Sequence, residues 1–276
     1  MINVEKFVRP ASVEAAVALL QAPDSVALAG GTGVSLSKDP SVRTVVDLSD
    51  LHDLKRIEVQ GDRVRLGALV TMTQLRRSGE LPAVLVEAAR SVGSTPLRNV
   101  VTVGGELARG VYWNDLPVLL LALDAVVELT TPAGVERVPV AAFLADHPKR
   151  ALAGGKLITA VEFSTAGLPK AGYIKYARTL VDYALCDVAC GLRVEDGVIR
   201  EARVALGAIV PLARRVPEVE QALLGAAPGA ETFARAAKAA VEAVEPRPDF
   251  RVSREYQRQL VEALVRRALE AAVGPA

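Results

Sequence analysis

Cysteine and histidine are scarce in this chain of 276 residues, which contains two of each. The cysteines, Cys186 and Cys190, stand near no histidine and near no other cysteine. A structural zinc site or an iron–sulfur cluster normally takes about four protein ligands, so the pair has too few neighbours to hold either. We therefore expect Cys186 and Cys190 to be small buried side chains, and we expect the chain to bind no metal.

The chain also lacks an excess of charge of one sign and a long apolar run. Lysine and arginine number 33 and aspartate and glutamate 32, and no block of like charges would follow a phosphate backbone or an anionic membrane. The apolar stretch 116–129 is too short to span a bilayer. Residues 1–6 lack the basic start and apolar core of a secretory signal. We therefore expect a cytoplasmic protein with no membrane span and no nucleic-acid partner.

The order of the predicted elements indicates an α+β protein. A helix that Ser12 can cap at its start and two buried strands predict a small α/β unit over residues 1–54. Alternating apolar residues on either side of the turn Gly61–Asp62 predict a hairpin over 53–67, which opens a larger unit with a mixed or antiparallel sheet over 55–166. Three more strands and a set of helices predict a C-terminal domain over 167–276, with a three-stranded antiparallel sheet and a helical bundle. The domain boundary is expected in the stretch 164–170, where Gly167 and Pro169 interrupt regular structure.

A glycine-rich turn follows the strand predicted at 25–29. Gly30, Gly31 and Gly33 would let the backbone take positive φ and bring N–H groups close to an anion, and Thr32 adds a hydroxyl donor. The turn lacks the lysine of a phosphate-binding Walker loop and the spaced glycines of a dinucleotide fingerprint. It is typical either of a phosphate site or of simple structural punctuation.

A second motif, Thr102–Val103–Gly104–Gly105, is interpreted as another glycine turn, because it repeats the adjacent glycines and the nearby threonine hydroxyl. Asp115 follows it and can accept hydrogen bonds from ligand hydroxyls. Asp115 also directly precedes Leu116 and Pro117, where it can equally cap a helix.

These motifs together resemble a known family. Ala29–Gly30–Gly31–Thr32, Leu97–Arg98–Asn99 before Thr102–Gly105, and Asp115–Leu116–Pro117 are similar to the flavin-binding subunit of molybdenum hydroxylases. Carbon monoxide dehydrogenase medium subunits and the FAD portion of xanthine dehydrogenase belong to this family. Other matching segments cover essentially the whole chain: 7–12, 64–68, 202–207 and 264–269. The resemblance implies that residues 1–166 form a two-subdomain FAD-binding fold.

The resemblance also implies a set of cofactor-binding residues. Lys175 corresponds to a lysine near the isoalloxazine ring, where a positive charge would raise the flavin potential; the alternative is a solvated strand lysine. Asp115 would bind polar hydroxyls of the cofactor, and Ile158 corresponds to an apolar contact of the flavin. The two glycine motifs would cradle the diphosphate and adenosine side of FAD through Leu28, Ala29, Gly30, Gly31, Thr32, Gly33, Val34, Thr102, Gly104 and Gly105.

The chain departs from the family pattern beside the second motif. Glu106 stands where the family usually has asparagine, and a carboxylate close to a diphosphate is repulsive unless it is paired. Arg109 is an available partner. Trp113 either covers the cofactor or packs against the protein.

The function implied is electron transfer by FAD. A small iron–sulfur subunit and a large molybdenum-cofactor subunit would be the partners, and FAD would pass electrons to a small-molecule or protein acceptor. One alternative is a scaffold subunit that kept the fold but lost the flavin, which the Glu106 substitution suggests. The other is a free-standing flavin oxidoreductase, for which the C-terminal half shows no acid–base constellation.

Overall fold

The computed structural model describes residues 4–37, 39–166 and 170–274. Its strands are β1 (Lys6–Val8), β2 (Ser25–Leu28), β3 (Thr44–Asp47), β4 (Ile57–Gln60), β5 (Arg63–Gly67), β6 (Val126–Thr131), β7 (Gly134–Pro139), β8 (Leu157–Ser164), β9 (Lys170–Tyr176), β10 (Cys186–Glu195), β11 (Val198–Gly207) and β12 (Arg214–Arg215). Its helices are α1 (Val13–Leu20), α2 (Met72–Arg77), α3 (Ala83–Ser91), α4 (Thr95–Arg98), α5 (Val103–Ala108), α6 (Leu116–Ala122), α7 (Val140–Ala145), α8 (Pro148–Ala151), α9 (Pro217–Leu223), α10 (Ala230–Ala243) and α11 (Arg254–Val273). Within the described ranges, no helix is both long and apolar enough to cross a membrane.

The first sheet is parallel and has the strand order β1-β3-β2. Helix α1 buries Ala16 and Val17 in the core of this unit. The helix starts after Ser12, whose side chain accepts a hydrogen bond from the N–H of Ala15 at 3.2 Å. The predicted α/β unit therefore forms, with β1 as an additional strand.

The second sheet is antiparallel and has the order β4-β5-β8-β6-β7. The predicted hairpin at its edge is confirmed, because Ile57 pairs with Leu66 and Val59 with Val64. Helix α5 packs on β5 and β8 of this sheet, whereas α6, in which every residue is buried, packs on α5 and on β10 and β11. Both helices are thus held by the surrounding core, and the Thr102–Gly105 motif and Asp115 lie at their N-terminal ends.

The third sheet, β12-β11-β10-β9, is antiparallel and separates two hydrophobic cores. One face packs on α9, α10 and α11 through residues such as Cys190 and Val204. The opposite face joins the N-terminal core through Tyr173, Ala189 and Ala205. The three predicted strands are present, and the two-residue β12 is a fourth that the sequence did not indicate.

The two cysteines lie in β10 as buried free thiols. Among the residues that the structure describes, no group of histidine, cysteine and acidic side chains is arranged to hold a metal ion. Gly167 and Pro169, in the predicted domain boundary, lie outside the described residues, as do Met1, Ile2 and Asn3. The domain limits 1–54, 55–166 and 167–276 stay predictions.

Candidate cofactor site

The first glycine motif is a tight turn between β2 and a short 3₁₀ helix over Val34–Leu36. The predicted positive φ is confirmed for Gly31, whose φ is 78°. The same prediction is wrong for Gly30 and Gly33, whose φ angles are not positive. Gly30 is needed for a different reason: an added Cβ would lie 1.6 Å from the carbonyl oxygen of Val100. This close approach fixes the turn against the segment that leads into the second motif.

The turn also presents unused hydrogen-bond donors. Among the described residues, no protein acceptor takes a hydrogen bond from the backbone N–H groups of Gly30, Gly31, Thr32 or Gly33. Successive free N–H groups form a concave site that favours an anion. The turn therefore fits a diphosphate.

The second motif is the start of α5 rather than a turn. Thr102 caps the helix, and its Oγ1 accepts a hydrogen bond from the N–H of Gly105 at 3.1 Å. The N–H of Gly104 donates to the carbonyl of Ala68 at 2.8 Å. An added Cβ on Gly104 would lie 2.9 Å from the Ala68 side chain, so glycine here permits close packing. Since the N–H groups of Gly104 and Gly105 are used internally, the donors that the motif leaves for a ligand are the backbone N–H and the hydroxyl of Thr102.

Arg109 brings the two motifs together. A Cβ added at Gly33 would lie 3.6 Å from Cδ of Arg109, which places that side chain beside the free N–H groups. Its guanidinium lies 5.6 Å from the ring centroid of Trp113. The Nε1 of Trp113 is buried and has no hydrogen-bond partner among the described residues. Arg109 and Trp113 thus form a cationic and aromatic wall next to the turn.

Asp115 and Lys175 form a buried ion pair. Nζ of Lys175 lies 2.9 Å from Oδ2 of Asp115, and the two side chains are 8% and 5% exposed. The same ammonium donates to the carbonyl of Ser91 at 3.0 Å. The alternative of a solvated lysine is therefore wrong. The helix-cap alternative for Asp115 is also wrong, because its side chain makes no capping hydrogen bond to α6.

Ile158 is a buried core residue of β8, where it pairs with Leu129 of β6. The carbonyl of the neighbouring Thr159 accepts a hydrogen bond from the N–H of Ala68. The carbonyl of Ala68 in turn accepts the hydrogen bond from Gly104. Ile158 thus belongs to the layer beneath the second motif, and a direct contact with flavin stays a prediction.

Two protein-family models match the chain. One, described as the FAD binding domain in molybdopterin dehydrogenase, covers residues 2–165, and the other, described as the CO dehydrogenase flavoprotein C-terminal domain, covers residues 171–272. The chain belongs to this flavoprotein family. The predicted family, the fold class and FAD as cofactor are thereby confirmed.

Relatives match this flavoprotein along its whole length. The nicotine 6-hydroxylase medium subunit of Paenarthrobacter nicotinovorans is 32% identical, over 96% of this chain and 95% of the relative. The carbon monoxide dehydrogenase medium chain of Afipia carboxidovorans is 30% identical, over 96% and 95%.

Solved structures agree with these matches. Carbon monoxide dehydrogenase from Hydrogenophaga pseudoflava superposes with a TM-score of 0.90 at 31% identity, covering 97% of this chain and 96% of that one. Quinoline 2-oxidoreductase from Pseudomonas putida 86 gives a TM-score of 0.89 at 29% identity, with 99% and 98% covered.

Glu106 of this flavoprotein is buried in α5 and is not paired with Arg109. Its Oε2 accepts only a long hydrogen bond, 3.5 Å, from the N–H of Leu116. Burial raises the pKa of Glu106 to about 8, with a further increase from the charge of Asp115, whereas the Leu116 N–H and Lys175 act in the opposite direction. A neutral carboxylic acid does not repel a diphosphate, and it can donate and accept hydrogen bonds as an asparagine amide does. Arg109, the available partner for this carboxyl group, makes no ion pair with it, because the arginine lies beside Gly33 and Trp113.

Replacement of Glu106 by glutamine should remove a pH dependence of stability. The folded-state pKa is raised from 4.5 to about 8, so the unfolded chain releases its proton first and stability falls as the pH rises through this window. Between pH 5 and pH 8 the wild type should lose roughly 3 kcal/mol of unfolding free energy through this group, and Glu106→Gln should not. The difference between variant and wild type should therefore increase by that amount. Urea unfolding at several pH values measures this. A constant difference between the two proteins would show that Glu106 is ionised in the folded state.

Sequence reasoning missed three participants in this region: the Val100 carbonyl, Tyr173 and Asp187. The first two act through backbone approach and tertiary burial, for which a single sequence carries no signal. For Asp187 the sequence did carry a signal, because it is a lone acidic residue in the apolar run 184–192.

Proposed function

We propose that this chain is the FAD-binding electron-transfer subunit of a heteromeric molybdenum hydroxylase. It would pass electrons from the iron–sulfur clusters of a small partner subunit through FAD to an external small-molecule or protein acceptor. A large partner subunit would hold the molybdenum cofactor and oxidise the substrate, and the complex would be cytoplasmic. The full-length relatives named medium subunit and medium chain support this proposal and do not favour a scaffold or a free-standing enzyme.

One observation carries the site assignment: the free N–H groups of Gly30 to Gly33, with Arg109 beside them, in a chain of an FAD-binding family. FAD supplies the redox chemistry when bound, and the protein supplies binding, orientation and electrostatics. The turn and Arg109 would hold the diphosphate, and the Thr102 hydroxyl would donate from the second motif.

Lys175 would supply a positive charge near the ring, with its position held by Asp115 and the Ser91 carbonyl. Glu106, as a neutral carboxylic acid, would not repel the diphosphate. Leu28, Ala29, Val34, Gly104, Gly105 and Ile158 would shape the walls of the site.

Purification of the complex from the native host tests the proposed role. We expect FAD, iron and molybdenum to copurify with this chain in one assembly, as determined by absorbance and metal analysis. Recovery of the flavin-bearing chain alone, with turnover of an organic donor, would instead support the free-standing oxidoreductase.

Arg109→Ala should weaken FAD binding roughly tenfold, because one charge-assisted contact to the diphosphate is lost. Arg63→Ala is the control, since Arg63 is an exposed arginine at the far end of β5. Fluorescence titration of FAD with both variants measures the effect. Equal affinity of Arg109→Ala and the wild type would place the diphosphate elsewhere.

A further inference from the structure

Asp187 is a fully buried carboxyl group near the start of β10, an inner strand of the C-terminal sheet. Its exposure is 0%, and neither side-chain oxygen has a hydrogen-bond partner among the described residues. A carboxylate that is buried without partners is strongly destabilising, and in proteins such a group takes up a proton instead. The position of Asp187 therefore requires an explanation.

The strand register places Asp187 beside the Lys175 ion pair. In β10, Asp187 lies directly opposite Lys175 of β9 and opposite Gly207 of β11. Directly opposed residues of neighbouring strands present their side chains on the same face. A Cβ added to Gly207 would lie 2.5 Å from Oδ1 of Asp187 and 2.4 Å from Cγ2 of Val118, so the carboxyl group lies over Gly207 against α6.

Five ionisable side chains meet where this face covers the N-terminal core. We call them the seam cluster: Glu106 and Asp115 from the N-terminal part, and Tyr173, Lys175 and Asp187 from the C-terminal sheet. The Tyr173 hydroxyl also interacts with Ser91, whose Oγ lies 3.4 Å away. Arg109 acts on Glu106, and the buried thiol of Cys186 neighbours Asp187.

The charges of the seam cluster cannot all be present together. Lys175 is its one cation, and Asp115 is paired with it at 2.9 Å. Ionisation of Glu106 and Asp187 as well would leave two unpaired negative charges in a buried site. Burial and the charge of Asp115 raise the pKa of Asp187 well above its usual range, against the attraction of Lys175.

We propose that Asp187 is a positioning residue for Lys175 that acts by packing and not by a hydrogen bond: as a neutral carboxylic acid opposite Lys175 in the strand register, together with neutral Glu106, it flanks the Lys175–Asp115 ion pair and keeps the seam cluster at zero net charge. The ammonium is then held by the carboxylate of Asp115 and the carbonyl of Ser91. The consequence of this arrangement for the flavin potential rests on the proposed function, because that function places Lys175 beside the flavin ring.

Infrared spectroscopy of the full chain without added FAD tests the protonation state. Above the pKa of about 6 for Asp115, the carbonyl stretch of a protonated aspartate should be present and should shift when aspartate carries ¹³C in its carboxyl group. This measurement uses the unmutated protein. Absence of any shifting band would overturn the proposal.

Variants assign the band and separate positioning from mere structure. Asp187→Asn should lose the band, whereas the control Asp53→Asn should keep it, because Asp53 is an exposed carboxylate paired with Arg56 at 2.7 Å. With FAD bound, Asp187→Asn should retain the wild-type flavin potential and Asp187→Ala should shift it. An equal shift in both would mean that Asp187 acts through a negative charge and would contradict the proposal.

The two proposals fail separately. If the chain takes up no FAD, the proposed function fails, while the infrared band still decides the state of Asp187. If FAD binds and the aspartate band is absent, the proposed function stands and this inference is wrong.

Discussion

Replacement of Gly30 by alanine is expected to lower the free energy of unfolding by about 4 kcal/mol or more. The new Cβ would lie 1.6 Å from the Val100 oxygen and 2.6 Å from the Val100 carbonyl carbon. These are backbone atoms, so no side-chain rotation relieves the overlap. Moving the two segments apart would also open the turn that presents the free N–H groups, and FAD binding should be lost with stability.

Gly79→Ala is the matched control, because no atom lies within 4 Å of an added Cβ there and the residue has no positive φ. Chemical denaturation of both variants gives the comparison, and Gly79→Ala should remain within about 1 kcal/mol of the wild type. Similar stability of Gly30→Ala and Gly79→Ala would show that the turn does not contact residue 100 in solution.

Replacement of Lys175 by methionine is expected to destabilise the protein by about 4 kcal/mol at pH 8, because it leaves Asp115 buried without its cation. The pKa of Asp115 is already raised to about 6 by burial, although Lys175 lowers it. Without the lysine this pKa rises further. The loss should therefore shrink as the pH falls to 5 and Asp115 becomes protonated.

Lys156→Met provides the comparison with an exposed pair, since Lys156 contacts Glu136 at 2.7 Å and both side chains are partly exposed. That change should cost less than about 1 kcal/mol at either pH. Adding Asp115→Asn to Lys175→Met should restore much of the lost stability. A loss in Lys175→Met that is the same at pH 5 and pH 8 would contradict a charge-based explanation.

Sequence reasoning worked best where the local pattern and the tertiary structure agree. Alternating apolar residues between 57 and 66 predicted a hairpin, and the same residues pair across β4 and β5. Ser12 predicted the start of α1 and caps it. The family-level fold followed from motif order over the whole chain, which the family matches confirm.

Sequence reasoning worked less well where a residue's role depends on a neighbour that is distant along the chain. Gly30 was interpreted through its freedom to take positive φ, whereas the close approach of the Val100 carbonyl is what requires glycine. The second glycine motif was interpreted as a turn, but Thr102 and the Ala68 carbonyl make it the start of a helix. Neither contact leaves a local signal in a single sequence.

The ion pair between Asp115 and Lys175 illustrates the same limit. Both residues were expected to face the cofactor separately, and the structure shows that they bind each other where the C-terminal sheet packs on the N-terminal core. Glu106 changes meaning for a related reason. Its position in the sequence indicated repulsion of a diphosphate, but burial makes it a neutral acid at neutral pH.

Equilibrium titration of the purified full chain with FAD, followed by calorimetry, tests the central claim most directly. The free N–H groups of Gly30 to Gly33 and the Arg109 side chain predict a single saturable site that takes up one FAD per chain, with flavin absorbance retained after removal of excess cofactor. A folded chain that takes up no FAD at saturating concentration would contradict the account.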